Sequence, residues 1–178
     1  MKKVIGAVGL FLTLFSFGLS VNAFSPAEES SWERPDLGEA TLVTELSKIK
    51  SLDDGIIKKE TISKYSYDYP KNVRGSYKYI TVITNLEYSE GKKALADIVY
   101  ESDFRFNPER KMCECLSSTC CYECKDSAKV EAFTRRKNET LSRGSSTIKS
   151  KFKNGYTTYE DIEYDLKCDS DGNISTYE

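Results

Sequence analysis

Between Ile62 and Cys168 the apolar residues recur at every second position wherever a pattern is visible, and that period commits the chain to extended strands. "ISKYSYDY" sets Tyr65, Tyr67 and Tyr69 on one side. "SYKYITVITNLEY" puts Ile80, Val82, Leu86 and Tyr88 on one face, with Tyr77, Tyr79 and Ile83 on the other, the mark of an interior strand. In "ALADIVYESDFRF", Ala94, Ala96, Ile98, Tyr100, Phe104 and Phe106 oppose Asp97, Glu101, Asp103 and Arg105, as in a half-buried strand. "NPER" then turns the chain, because Pro108 cannot donate to a ladder. "AKVEAFT" reads as another strand and the polar "RRKNETLSRGSS" as a loop.

The last stretch, "TIKSKFKNGYTTYEDIEYDLKC", predicts a hairpin. Thr158, Ile162, Tyr164, Leu166 and Cys168 share one face, interrupted only by Glu160; Asp161, Glu163, Asp165 and Lys167 share the other. A three-residue loop of Lys153, Asn154 and Gly155 pairs Phe152 with Tyr156 and Ser150 with Thr158, and puts Gly155 at the left-handed position that such a loop requires.

Ahead of the alternating region the period differs. "GEATLVTELSKIKSL" spaces Leu42, Leu46, Ile49 and Leu52 by four, three and three residues, which predicts a short amphipathic helix within 38–55, ended by "DDG". Residues 24–37, acidic and holding two prolines, read as a flexible tail. Residues 1–23 have a basic start, an uncharged apolar run and a "VNA" cut after Ala23, the layout of a signal peptide. The expected fold is therefore mainly β: a small antiparallel β-sandwich or curled sheet of five to six strands over residues 56–178, with one short N-terminal helix.

Removing 23 of the 178 residues leaves 155 and moves the net charge from −2 to −4 with the loss of two lysines. That balance gives no footprint for nucleic acid, and no second apolar run of spanning length follows the leader, so the expectation is a secreted protein without a membrane span. The chain has no histidine, which excludes imidazole chemistry, and no glycine-rich phosphate loop. The sets Asp97/Glu101/Asp103 and Asp161/Glu163/Asp165 resemble paired carboxylates, but alternating charge along a strand describes a solvated face. No catalytic residue, cofactor or metal site is expected. "CDSDGN" reads as a turn, because a calcium loop would put Lys167 at its first ligand position.

Five of the six cysteines lie in "MCECLSSTCCYEC". Cys113, Cys115, Cys120, Cys121, Cys124 and the distant Cys168 form an even set in a short exported chain, which predicts three disulfides. Five clustered cysteines cannot all pair among themselves, so one of them must reach Cys168. That bridge would close a loop of about 44–55 residues and stabilise the fold by roughly 3.5–4.5 kcal/mol. Tyr65, Tyr67, Tyr69, Tyr77 and Tyr79 offer an amphipathic face for an unknown protein or glycan at the cell surface. Asn138-Glu139-Thr140 and Asn173-Ile174-Ser175 match the glycosylation pattern. The resulting expectation is a secreted, non-enzymatic binding protein. The alternatives are an exported toxin or antimicrobial protein, with the helix near 40–52 as a leader or membrane-active segment, and a thiolate metal-binding protein.

Overall fold

The computed structural model describes residues 38–67 and 77–177, so the leader, the tail and Tyr69 lie outside the described residues. Among the described residues nine strands follow in order: β1 (Ala40–Ser51), β2 (Ile56–Tyr67), β3 (Lys78–Glu90), β4 (Lys93–Asn107), β5 (Met112–Cys124), β6 (Ala128–Thr140), β7 (Arg143–Asn154), β8 (Thr157–Asp169) and β9 (Ile174–Tyr177). Every pairing is antiparallel and joins neighbours in sequence, giving one sheet ordered β1-β2-β3-β4-β5 and a second ordered β6-β7-β8-β9. The chain is mainly β, as its alternation requires. It also holds three strands beyond the expected count.

The first of these is β1, where the spacing of apolar residues had predicted a helix. A helix of this length is marginal in water unless it has a surface to bury its stripe against. Instead, a single 3-10 turn at Asp53–Gly55, with Asp54 and Gly55 at positive φ, returns the chain so that Ala40 pairs with Tyr67 and Ser51 with Ile57. Extension splits the supposed stripe. Leu46 pairs with Ile62 on one face, while Leu42 and Ile49 pair with Tyr65 and Lys59 on the other. The toxin reading loses the helix on which it rested.

The second is β5, the cysteine segment, which was not among the expected strands, and the third is β9 after the "CDSDGN" turn. The stretch 135–146 is also not a loop. β6 and β7 run through it and meet at Leu141–Ser142, where Thr140 pairs with Arg143. Polar residues fill it because β6 is the edge strand of its sheet and from Arg135 to Asn138 it is exposed on both faces.

The β7–β8 hairpin differs from its predicted register. Asn154 pairs with Thr157 around the two-residue loop Gly155–Tyr156, with Gly155 at φ 60° in the first loop position, as a type II′ turn requires. A bulge at Tyr159 then sets Phe152 opposite Glu160 and Ser150 opposite Ile162. The extra residue restores even-to-even pairing from Glu160 onward, so Ile162, Tyr164, Leu166 and Cys168 share the expected face although their partners differ, whereas Thr158, opposite Lys153 ahead of the bulge, falls on the other face.

The two sheets share one apolar core. Tyr88 of β3 stacks on Phe152 of β7 with ring centroids 4.1 Å apart and planes 12° from parallel. Phe104, Ile98, Ile148 and Leu166 are fully buried between the sheets. Tyr100 carries its hydroxyl across to the Lys149 carbonyl at 2.8 Å. Gly172, at φ 80°, lies so close to the Phe106 ring that a Cβ there would come within 2.5 Å of it.

The chain crosses between sheets at 125–127, and side chains close the seam between β5 and β6. The Asn138 amide accepts from the Cys115 N–H at 2.8 Å and donates to the Cys115 carbonyl at 3.1 Å, so one side chain replaces a strand's pair of ladder bonds. Arg136 adds a bond to the Leu116 carbonyl at 3.0 Å.

Candidate functional site

Tyr65 and Tyr67 of β2 and Tyr79 of β3 stand at odd positions, opposite in sense to the core residue Tyr88, and Ser66 pairs with Ile80, so Tyr67 and Tyr79 come next to one another on the outer face of the five-stranded sheet. Tyr65 and Tyr77 share that face, and all four rings are half-buried. The structure thus brings together four of the five predicted tyrosines; Tyr69 is the one outside the described residues.

A polar relay fixes this face. Thr81 donates to Asp103 at 2.6 Å, so its hydroxyl accepts from Tyr67 at 2.6 Å, and Ser117 donates to the second Asp103 oxygen at 2.7 Å. The relay links β2, β3, β4 and β5. Next to it the Arg105 guanidinium lies over the Tyr77 ring, 5.0 Å from its centroid, and pairs with Glu114 at 2.6 Å. Aromatic surface, a carboxylate and a guanidinium therefore sit together on a rigid sheet. Sequence reasoning found the tyrosines but not Arg105 and Asp103 as their neighbours; the alternation that placed both on the charged face of β4 was the available signal.

The cysteines are arranged differently from the expectation. All six carry free thiols. Along an extended strand Cα atoms advance about 3.3 Å per residue, which puts Cys121 and Cys124 roughly 10 Å apart and Cys115 and Cys120 roughly 16 Å apart. Bridging fails beyond about 7 Å, so three disulfides cannot form with β5 extended. Cys113, Cys115, Cys120 and Cys124 face the core with Phe106, Phe104, Tyr100 and Ala96, whereas Cys121 pairs with Val99 on the outer face. The inward thiols serve as small apolar side chains. Burial raises the Cys120 thiol to about 11 and pushes Cys115 up still further.

One pair is different. Cys113 on β5 and Cys168 on β8 are both buried and within hydrogen-bond reach of one another across the two sheets. That bond, chiefly, holds the Cys113 thiol below its usual value and drives Cys168 up. Gly144, which pairs with Cys168, makes the meeting possible: a Cβ there would lie 2.4 Å from the Cys115 nitrogen. Among the described residues no three metal-ligating side chains gather in one place.

The inner faces also hold an ionic group that the sequence marked only through Glu160. Lys58 of β2 donates to Glu160 of β8 at 3.0 and 2.9 Å, and Tyr88 donates to it at 2.6 Å. Tyr164 of β8 donates to Glu60 of β2 at 3.1 Å. On the outer face of the second sheet, Asp161 and Glu163 pair with Lys151 at 3.0 Å and Lys149 at 3.1 Å, a cross-strand ladder. In the "CDSDGN" turn Asp169 accepts from the backbone N–H groups of Asp171 and Asn173, each at 2.9 Å, and so closes the turn on itself.

Among the described residues no helix is long and apolar enough to cross a membrane. No protein-family model, no curated protein and no solved structure matches this chain.

Proposed function

We propose that the chain is exported with loss of residues 1–23 and acts as a non-enzymatic binding protein, meeting a protein or glycan at the cell surface through its tyrosine face. The observation that carries this reading is the gathering of Tyr65, Tyr67, Tyr77 and Tyr79 around Arg105 and Asp103 on one sheet face. Tyrosine supplies broad amphipathic contact area while only two side-chain torsions are lost on binding. The Tyr67 ring, already held by the Thr81–Asp103 relay, loses less still.

In the oxidising surroundings that export implies, the reading carries one disulfide, Cys113–Cys168. Its formation transfers two hydrogens from the two thiols to an external disulfide, which leaves as two thiols. The bridge would tie β5 to β8 and constrain the unfolded chain by roughly 4 kcal/mol. The remaining four cysteines stay reduced. Intact mass before and after reduction should differ by two hydrogens, with the 113 and 168 peptides linked; a difference of zero removes the bridge from the reading.

The binding test uses labelled protein of residues 24–178 on glycan arrays and intact cells. Wild type should bind saturably, and Tyr65→Ser/Tyr79→Ser should bind at least tenfold more weakly with an unchanged unfolding midpoint. Equal binding by wild type and variant sinks the assignment of this face.

A further inference from the structure

β9 pairs with Asp165–Cys168 alone, so the stretch of β8 from Thr157 to Tyr164 has no strand on that edge among the described residues. β1 and β2 extend over it. Between the two lies a cleft of about 470 Å³, within the size range of small-molecule sites. Its upper wall carries Lys48 and Lys50 of β1 with Lys58, Glu60 and Ile62 of β2; its lower wall carries Glu160, Ile162 and Tyr164 of β8.

The charges here do not balance in effect, although cations and anions are both present. Each lining carboxylate is already held: Glu160 by Lys58 and Tyr88, Glu60 by Tyr164, Asp161 by Lys151 and Glu163 by Lys149. Lys58 is committed to Glu160. Of the other two cations, Lys50 stands 3.9 Å from Glu160, which Lys58 already holds, with 66% of its side chain exposed, and Lys48 lies opposite Glu60 across the strands. With Lys149 and Lys151 counted, five lysines meet four carboxylates, so the cleft carries one net positive charge, and its exposed cations stand at the mouth. Its interior offers Ile62 and Ile162, and Leu46 continues the apolar track on the same face as Ile62 while remaining 65% exposed.

We propose that this cleft binds an amphipathic monoanion, its carboxylate or sulfonate on Lys48 and Lys50 and its apolar body along Leu46, Ile62 and Ile162. Charge complementarity selects the occupant. An amine would meet one net positive charge and carboxylates that are each already held, and a wholly apolar molecule would leave both lysines partly desolvated without an added anion. The site is on the inner faces, away from the tyrosines, so it stands or falls independently of the cell-surface reading.

The test is titration of protein 24–178 with anilinonaphthalene sulfonate, followed by competition with decanoate and decylamine. A saturable fluorescence rise that decanoate reverses and decylamine does not is the expected result. Lys48→Gln/Lys50→Gln should weaken the dye at least tenfold and flatten the loss of affinity with added salt, at an unchanged urea midpoint. Leu46→Asn should weaken both anions several-fold. Non-saturable dye binding, equal competition by decylamine, or full affinity in the lysine variant would each overturn the proposal.

Discussion

Replacing Lys58 by Met tests the ionic group between the sheets. Lys58 and Glu160 are each about 7% exposed, and their atoms meet at 2.9–3.0 Å. Removing the lysine leaves a buried carboxylate with the Tyr88 hydroxyl and a distant Lys50 as its remaining donors. Breaking a buried pair from one side costs about 3–5 kcal/mol, because the surviving charge is left uncompensated. Exchanging both partners, Lys58→Met with Glu160→Leu, removes that charge, and the residual cost is the lost acceptor of Tyr88, about 1–3 kcal/mol. The double variant should therefore be more stable than the single one. Urea unfolding reads this directly: the midpoint should fall sharply in Lys58→Met, recover in large part in the double variant, and the slope should stay constant. A loss below about 1 kcal/mol in the single variant, or a double variant less stable than the single, would refute the reasoning.

Three further outcomes follow from other parts of the fold. Gly144→Ala should lose about 1–3 kcal/mol in the same assay, because the new Cβ meets backbone atoms of Glu114 and Cys115 that no rotamer change can clear. It should also slow the linking of Cys113 to Cys168. Burial, with Glu87 and Glu123 nearby, raises the Asp97 carboxyl above its ordinary value of 3.8. A raised folded value means the wild type loses stability as pH climbs through that titration. Asp97→Asn should therefore gain over wild type at neutral pH, with the gain closing well below pH 3.8; an equal gain at every pH would exclude the charge as its cause. Under reducing conditions at pH 8, iodoacetamide followed by peptide mapping should modify Cys121 and Cys124 before Cys113, Cys115 and Cys168, which are buried.

The strands were legible where one face met the core and the other met water. In β4 the apolar set from Ala96 to Phe106 survives as burial, while on the face expected to meet water Asp103 is buried under its relay partners. Where burial was absent the pattern misled. β1 is exposed along nearly its whole length, so nothing forced its apolar residues into a period of two, and Leu42, Leu46 and Ile49 fell by chance at helical spacing. β5 failed for another reason. Cysteine reads as a covalent or metal-binding residue, and that reading obscured Cys113, Cys115, Cys120 and Cys124 acting as an ordinary inward-facing set. Parity asked for a bridge to Cys168; among the described residues Cys113 lies within hydrogen-bond reach of it, with both as free thiols. The Lys58–Glu160 contact spans 102 residues, and only the blemish of Glu160 on an apolar face hinted at it.

The amide clip of Asn138 bears on covalent decoration of the chain. Its nitrogen and oxygen both bind the Cys115 backbone, yet the residue heads an Asn-Glu-Thr sequence that a sugar-transferring enzyme would accept. A glycan must be joined to that same nitrogen, so attachment and closure of the β5–β6 seam compete for one atom. In a glycosylating host, occupancy at Asn138 would then act as a clock, recording how long the nascent chain stayed open before its two halves came together.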